Sequence, residues 1–381
     1  MLLVAFHCNL ALLISCDRIE GFSLQSQSTN GSDASELIKI ATFNLFNFIE
    51  PPGAFYEFEN IYTQEQWQKK LDWIATYINE HQPDVIGFQE VFTPDALAQL
   101  TQRCGLEYFA VLDTPEVVDD FIYSKPVVAL ASRYPITEVH NVTVGDGWAS
   151  MMGLQDDFGF SRKPLRVTIS LPKLGSCDCY VVHFKSKRPL FDAQELNGLT
   201  TPSADSSGGN VGQLLSIEAL AQWGSSIQRG CEAALLRYSM VERRTQTGNP
   251  MVLMGDFNDI LSDGVLASLT SVDTRIKPDP LLGEVEHQLR DHRLKDAYEL
   301  YQSSQYSLSC QQRPATHYYF AKGSVLDYIL LSSEFDIKNS RSLAEVGRYE
   351  TYDRHLINPR FERDSQSTDH APVMITISIR H

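Results

Sequence analysis

Apolar residues along this chain fall into short runs between polar stretches, and the period of each run assigns an element. Ile38 to Asn44 is β-branched and apolar between polar flanks and predicts a buried strand. Gln64 to Asn79 carries Trp67, Leu71, Ile74 and Ile78 at helical spacing, and Pro83 closes the segment. Asp84 to Phe88 is a second short strand that runs straight into Gln89-Glu90. Pro94 to Cys104 predicts a helix with Thr93 as its cap. Val127 to Ser132, Leu165 to Leu171 and Cys179 to Phe184 predict three further strands. Gln213 to Arg244 has the pattern of a long helix, with Gly224 and Gly230 as candidate interruptions. Pro250 to Gly255, Val325 to Leu331 and Pro372 to Ile379 complete the strands. Between them, Gly175 to Cys179 predicts a turn, and Leu190 to Gly212, rich in Thr, Ser, Gly and Asp, a loop or insertion. Short strands with helices between some of them suggest an α/β or α+β sandwich, and the pattern alone leaves these open.

The N-terminus is patterned differently. Met1 to Ser15 carry no Lys, Arg, Asp or Glu, and Leu10 to Ile14 is strongly apolar. Such a run is short for a membrane span and suits an export signal over residues 1–16. Leu13-Ile14-Ser15-Cys16 is similar to a bacterial lipobox, so lipid anchoring through Cys16 and release to the periplasm or medium both stand open. Residues 17–36, rich in Ser, Gln and Asn, suit a flexible tether, and 37–381 reads as one domain.

Composition narrows the classes. The 381 residues are 43% hydrophobic and 21% charged, which permits a substantial core and argues against a disordered chain. The formal net charge of -16 disfavours general polyanion binding, so a phosphate-rich partner needs a local basic patch or a bridging cation. Seven cysteines are an odd total. With Cys8 and Cys16 in the signal, Cys104, Cys177, Cys179, Cys231 and Cys310 remain, which is no complete disulfide framework. The pair Cys177 and Cys179 lacks further ligands at zinc-finger spacing.

Candidate chemistry sits at the strand ends. The runs terminate at Asn44, at Gln89-Glu90, at His183 and at Asp256-Phe257-Asn258, and Asp369-His370 precedes the last strand. Carboxylate and amide oxygens gathered at one sheet edge suit a hard cation such as Mg²⁺, Mn²⁺ or Ca²⁺. Taken singly, each has an ordinary explanation: a turn, a solvated strand end, a hydrogen-bonded core histidine. Their joint order is harder to explain that way.

Thr42-Phe43-Asn44, Gly87-Phe88-Gln89-Glu90-Val91, Val182-His183, Gly255-Asp256-Phe257-Asn258, Leu326-Asp327-Tyr328-Ile329 and Ser367-Thr368-Asp369-His370 resemble, in order, the signatures of the DNase I-like endonuclease/exonuclease/phosphatase superfamily. Phe160-Ser161-Arg162-Lys163-Pro164 resembles the segment that gives secreted DNases a phosphate-contacting arginine. The resemblance implies a four-layer sandwich, two packed mixed β-sheets flanked by helices, and metal-dependent hydrolysis of a phosphoester. It implies Glu90, Asn44 and Asp369 at the metal, Asp256 at the attacking water and Asn258 on a phosphate oxygen. It further implies His370 on the phosphate, oriented by Asp327, and His183 as a candidate general acid. Such a site needs charge neutralisation, a base beside the water and donors around the phosphate. His317 is read as structural.

The superfamily holds nucleases, sphingomyelinases and inositol-phosphate phosphatases, and fold alone does not choose. Lys185, Lys187 and Arg188 after His183, together with Arg162, form a candidate cationic rim for a nucleic-acid backbone, so an exported nuclease acting on DNA or RNA leads. Gln89-Glu90-Val91 lacks the Thr-Lys ending of abasic-site repair enzymes. A phospholipid or small-phosphoester enzyme is the alternative, with the aromatic segment Pro51 to Tyr62 either reaching a membrane or packing on the core. A non-catalytic phosphate-ligand binding protein is a third reading. Nothing indicates an obligate protein partner, and a monomer is expected.

Overall fold

Alternation with a period of two runs through the strands and decides which face each residue serves. The computed structural model describes residues 37–142, 147–154, 158–191, 211–262, 264–271, 277, 285–305 and 312–380, all within one unit, Ser35–His381. The signal and tether, Cys310 and residues 192–210 of the expected insertion lie outside the described residues. In chain order the strands are β1 (Leu37–Phe48), β2 (Ala54–Phe55), β3 (Val85–Val91), β4 (Tyr108–Val111), β5 (Glu116–Asp119), β6 (Ile122–Lys125), β7 (Val127–Ser132), β8 (Ile136–Asn141) and β9 (Leu165–Leu171). They continue as β10 (Gly175–His183), β11 (Met251–Asp256), β12 (Lys295–Asp296), β13 (His317–Tyr319), β14 (Lys322–Ser324), β15 (Asp327–Leu331), β16 (Ala344–Thr351) and β17 (Val373–Ile379). One six-stranded sheet has the order β16-β17-β1-β3-β7-β4, and a second has β12-β15-β11-β10-β9-β8.

The sheets are mixed and packed face to face. Ile38 and Ile40 of β1, Val85 of β3 and Ile375 of β17 share a buried cluster with Val167, Val181, Val252, Met254 and Ile329 of the second sheet. The alternate residues of the first sheet, among them Ala41, Phe43, Ile86 and Phe88, pack with Trp67, Trp73 and Ile74 of helix Gln64–His81 and Leu97 of helix Pro94–Arg103. On the far side of the second sheet, Tyr180, Val182, Leu253 and Leu330 pack with Ala233, Leu236 and Met240 of helix Val211–Thr247. The result is the four-layer sandwich, helix on sheet on sheet on helix. Each fully buried Val, Leu, Ile or Phe contributes about 1.5–3 kcal/mol, so the seam between the sheets is the main clamp. The same alternation carries Asn44, Gln89, His183, Asp256 and Asp327 onto the inner faces at the strand ends.

Several local readings change. Thr63 closes a capping box with Gln66 on helix Gln64–His81, whereas Thr93 makes no side-chain cap and its hydroxyl instead accepts from the Glu50 amide. Helix Val211–Thr247 runs uninterrupted through both glycines. A Cβ at Gly224 would lie 3.1 Å from the Leu190 side chain, so there glycine permits close approach rather than a break. Cys177 and Cys179 lie within β10, not in a turn, paired opposite Ile169 and Val167; the turn is displaced to Pro172–Leu174. Cys104, Cys177, Cys179 and Cys231 are buried free thiols. The segment Pro51 to Tyr62 packs in part on itself and its surroundings: Phe55 meets Tyr62, Tyr56 meets Phe92, and β2 pairs with β6, while Phe58, Tyr56 and Ile61 keep exposed surface. Among the described residues no helix is long and apolar enough to cross a membrane.

Gly255 is the tightest point beside the strand ends. Its φ is +149°, and a Cβ there would lie 2.0 Å from the Val182 carbonyl oxygen on β10. Gly255→Ala should therefore lower the unfolding free energy by about 1–3 kcal/mol or more, the scale of overpacking. Chemical denaturation reads this directly, and a wild-type midpoint would contradict the close-packed strand crossing.

Candidate active site

Strand register assembles the site before any side chain chooses a rotamer. β10 pairs with β11 so that His183 lies opposite Asp256, and β11 pairs with β15 so that Asp256 lies opposite Asp327. Three titratable side chains thus stand in a row across three adjacent strands. In the facing sheet Asn44 lies opposite Gln89. Asn44 bridges the sheets: its Nδ2 donates to Asp256 Oδ2 at 3.1 Å and to Glu90 Oε1 at 3.4 Å. Glu90 escapes the strand alternation because its φ is +61°, and its Oε2 accepts from the Asn47 amide at 2.9 Å.

His370 arrives from the segment before β17. An isolated bridge pairs it with His317, and the Ala371 amide donates to the Thr316 carbonyl at 2.7 Å. Its Nδ1 lies 2.8 Å from Asp327 Oδ2, and its Nε2 lies 3.7 Å from Asp256 Oδ2. His183 Nε2 approaches the same Asp256 oxygen at 3.5 Å. The Asn258 amide N–H donates to Asp256 Oδ1 at 2.8 Å, while its side-chain Nδ2 donates to the Phe184 carbonyl at 3.0 Å. Asn258 has φ +54°, a conformation that asparagine tolerates better than most residues.

Charge follows burial. Burial, joined by Asp327 and Glu90, pushes the Asp256 carboxyl up to about 7 against the pull of His370. Burial would lower His370, but Asp327 and Asp256 outweigh it and hold the imidazole well above its usual range. Burial, with Arg162 and His370 adding, pushes His183 well below that range. The two histidines are therefore pushed in opposite directions, His370 toward the imidazolium and His183 toward the neutral ring.

Two loops border this edge. Arg162 donates to the Phe184 carbonyl at 3.4 Å and lies near Tyr56. Lys185 is turned back on its own loop, donating to the Arg188 carbonyl at 3.0 Å, and Lys187 pairs with Asp259 at 2.7 Å. The rim expected from Lys185, Lys187 and Arg188 is thus partly consumed internally. The long helix holds both loops through residues the sequence pattern did not flag. Glu232 accepts from Ser161 and from the Lys185 amide, and buried Arg229 binds Asp259 and the Lys185 carbonyl. Lys70 is a second unforeseen residue. It is 1% exposed, donates to the Ser367 carbonyl at 3.2 Å and lies over the Phe46 and Tyr62 rings. Burial pulls its ammonium down to about 8, opposed by nearby Asp369 and Glu90.

Cation donors are present as oxygen-rich groups. Asp369 Oδ1 is buried without a hydrogen-bond partner among the described residues, which leaves it open to an ion or a water. Ligand atoms of Asp256, Asp327 and His370 lie within 4.8 Å of one another, as do those of His317, Asp369 and His370. Asn44 turns its nitrogen, not its oxygen, to Glu90 and Asp256, and its oxygen accepts from the Phe46 amide. In this geometry Asn44 is a bridge between carboxylates. Glu90 and Asp369 fit a hard cation as oxygen donors.

With this geometry in place, the sequence comparisons agree. The chain belongs to the Endonuclease/Exonuclease/phosphatase family, whose profile matches residues 41–370. Members of that family are hydrolases acting on phosphoester bonds and are generally dependent on divalent metal. Its structure is similar to the human Nocturnin catalytic domain, with 17% identity over 90% of this chain and 95% of that one, at a TM-score of 0.52. It is also similar to humanized D. rerio TDP2, with 12% identity over 90% of this chain and 99% of that one, at a TM-score of 0.50. At such identities the likeness establishes the fold. No curated protein matches the sequence.

The His370–Asp327 pair makes a pH prediction. A folded-state pKa above the unfolded value, about 6.5 for histidine, gives stability that is fully present below that value and lost as pH rises through the folded pKa. NMR titration of the metal-free protein should show His370 protonated beyond the usual histidine range, with Asp327→Asn moving it down. An unshifted His370 in the variant would contradict the pairing.

Proposed function

We propose that the protein is an exported nuclease that hydrolyses nucleic-acid phosphodiesters with a divalent cation, Mg²⁺ in the first instance. The observation that carries the reading is the His370 ring held between Asp327 and Asp256 at the strand-end edge, with Arg162 on the adjoining loop. Fixed cationic donors beside a carboxyl poised near neutrality suit attack by water on an anionic ester.

Each residue then has a task. Asp256, held by Asn44 and the Asn258 amide, orients the water and accepts its proton. His370 contacts a phosphate oxygen, and Asp327 fixes its ring. His183, neutral and buried, suits an N–H donor to the ester better than a charged acid. Asn258, whose side-chain amide now donates to the Phe184 carbonyl, would turn to hold a phosphate oxygen when substrate binds. Glu90 and Asp369 would hold the cation, which when bound supplies charge neutralisation and Lewis acidity. Arg162, with the exposed Arg188 on the next loop, supports a polymer backbone over an isolated small ester. Export rests on the uncharged Met1–Ser15 segment, and the mass of the chain recovered from cells would show processing near Cys16.

Hydrolysis of plasmid DNA, RNA, sphingomyelin and inositol phosphates, each with Mg²⁺, Mn²⁺ or EDTA, tests the assignment. Metal-dependent cleavage of DNA or RNA is expected, reduced by about 10²-fold or more in Asp256→Asn, the scale of a lost general base. Turnover of sphingomyelin or inositol phosphates alone would replace the substrate, and a fully active Asp256→Asn would remove that residue from the mechanism. Arg162→Gln combined with Arg188→Gln should flatten the salt dependence of nucleic-acid affinity. An unchanged slope would place the backbone elsewhere.

A further inference from the structure

The β13–β14 hairpin is built onto the catalytic edge. His317 at its base pairs with His370, their rings 5.0 Å apart. Thr316 ties the base down: its hydroxyl accepts from the amides of Leu326 and Asp327, and its own amide donates to Ser324. The hairpin is therefore fixed to the same residues that present His370 and Asp327.

Its tip is aromatic and faces solvent. Tyr319 is 73% exposed and Phe320 88% exposed, and their rings meet edge to face with centroids 4.8 Å apart. Phe320 has φ +52°, in a turn position where Gly and Asn are the easy residues. A bulky ring there serves neither the turn nor the core. From His317 to Phe320 is three residues, roughly 10 Å of strand, about a nucleotide's reach from the residue that contacts the phosphate. Lys322, exposed on the returning strand, lies opposite Tyr319 in the hairpin register.

We propose that Tyr319 and Phe320 form a stacking platform for a nucleobase next to the scissile phosphate. The inference rests on the nuclease reading and deepens it. The feature repeating beside each phosphodiester of a nucleic acid is a planar base, and aromatic side chains stack on such faces without selecting sequence. The cationic Lys322 suits the adjacent backbone phosphate. The platform would favour unpaired strands, whose bases are free to leave their neighbours.

The test compares wild type with the Tyr319→Ala, Phe320→Gly double variant on two single-stranded oligonucleotides, one carrying bases and one with abasic units throughout. Glycine suits the backbone at position 320, so a loss there does not come from turn strain. Wild type should prefer the base-bearing strand by about 10-fold in kcat/KM, the scale of one base stack. The double variant should lose that preference and match wild type on the abasic strand. A retained preference would overturn the platform, and equal loss on both strands would overturn it in favour of simple support for His370. If wild type cleaves neither strand but hydrolyses sphingomyelin in vesicles, and the variant no longer binds those vesicles, the tip is a lipid contact. In that case the nuclease reading falls together with the platform.

Discussion

Strand β11 is bonded to a parallel neighbour on one side and an antiparallel one on the other, and the site depends on that double pairing. It sets His183, Asp256 and Asp327 level with one another across β10, β11 and β15. A one-residue slip of β11 would turn Asp256 out of the seam and put an apolar residue in its place. The glycine at 255 keeps β10 and β11 close enough for this register, since any side chain there would strike the Val182 carbonyl. Burying four titratable groups costs free energy unless they satisfy one another. Here His370, arriving from the segment before β17, offsets the carboxylates of Asp256 and Asp327, and Asn44 closes the gap between the sheets.

Around that row a second set of contacts keeps the loops in place. Arg229 and Glu232, three residues apart on the long helix, reach the Ser161 and Lys185 loops from behind. Lys70 reaches the segment carrying Asp369 and His370 from the first helix. Thr368 links the same segment to β1, its hydroxyl donating to the Asn44 carbonyl. The strand-end groups thus stand on packed elements, and the basic rim is partly spent on holding its own loop.

Much of this was legible along the chain. Asn44, Glu90, His183, Asp256, Asp327 and His370 stand at the ends of apolar runs or beside them, and the structure brings them to one edge. Strands with two buried faces, such as β3 and β11, show clear apolar runs for that reason. Edge strands β8 and β16 are half exposed and carry no such run, and the short hairpins fall below any periodicity. Gly175 to Cys179 looked like a turn because its composition is polar, but cross-strand pairing with β9 overrode that preference. Lys70, Arg229 and Glu232 were invisible because a charge on a helix usually marks its solvated face. Only the tertiary partners, tens or hundreds of residues away, show that these side chains are buried. The internal pairing of Lys187 with Asp259 was hidden for the same reason.

The proposed function has its core in a cation held at this edge by the Glu90 and Asp369 carboxylates. Anomalous diffraction from crystals of the protein equilibrated with Mn²⁺ tests it most directly. The account predicts a peak within bonding distance of both the Glu90 and Asp369 carboxylates, beside Asp256 and His370. A crystal saturated with Mn²⁺ whose anomalous peaks lie only elsewhere, or which shows none, would contradict it.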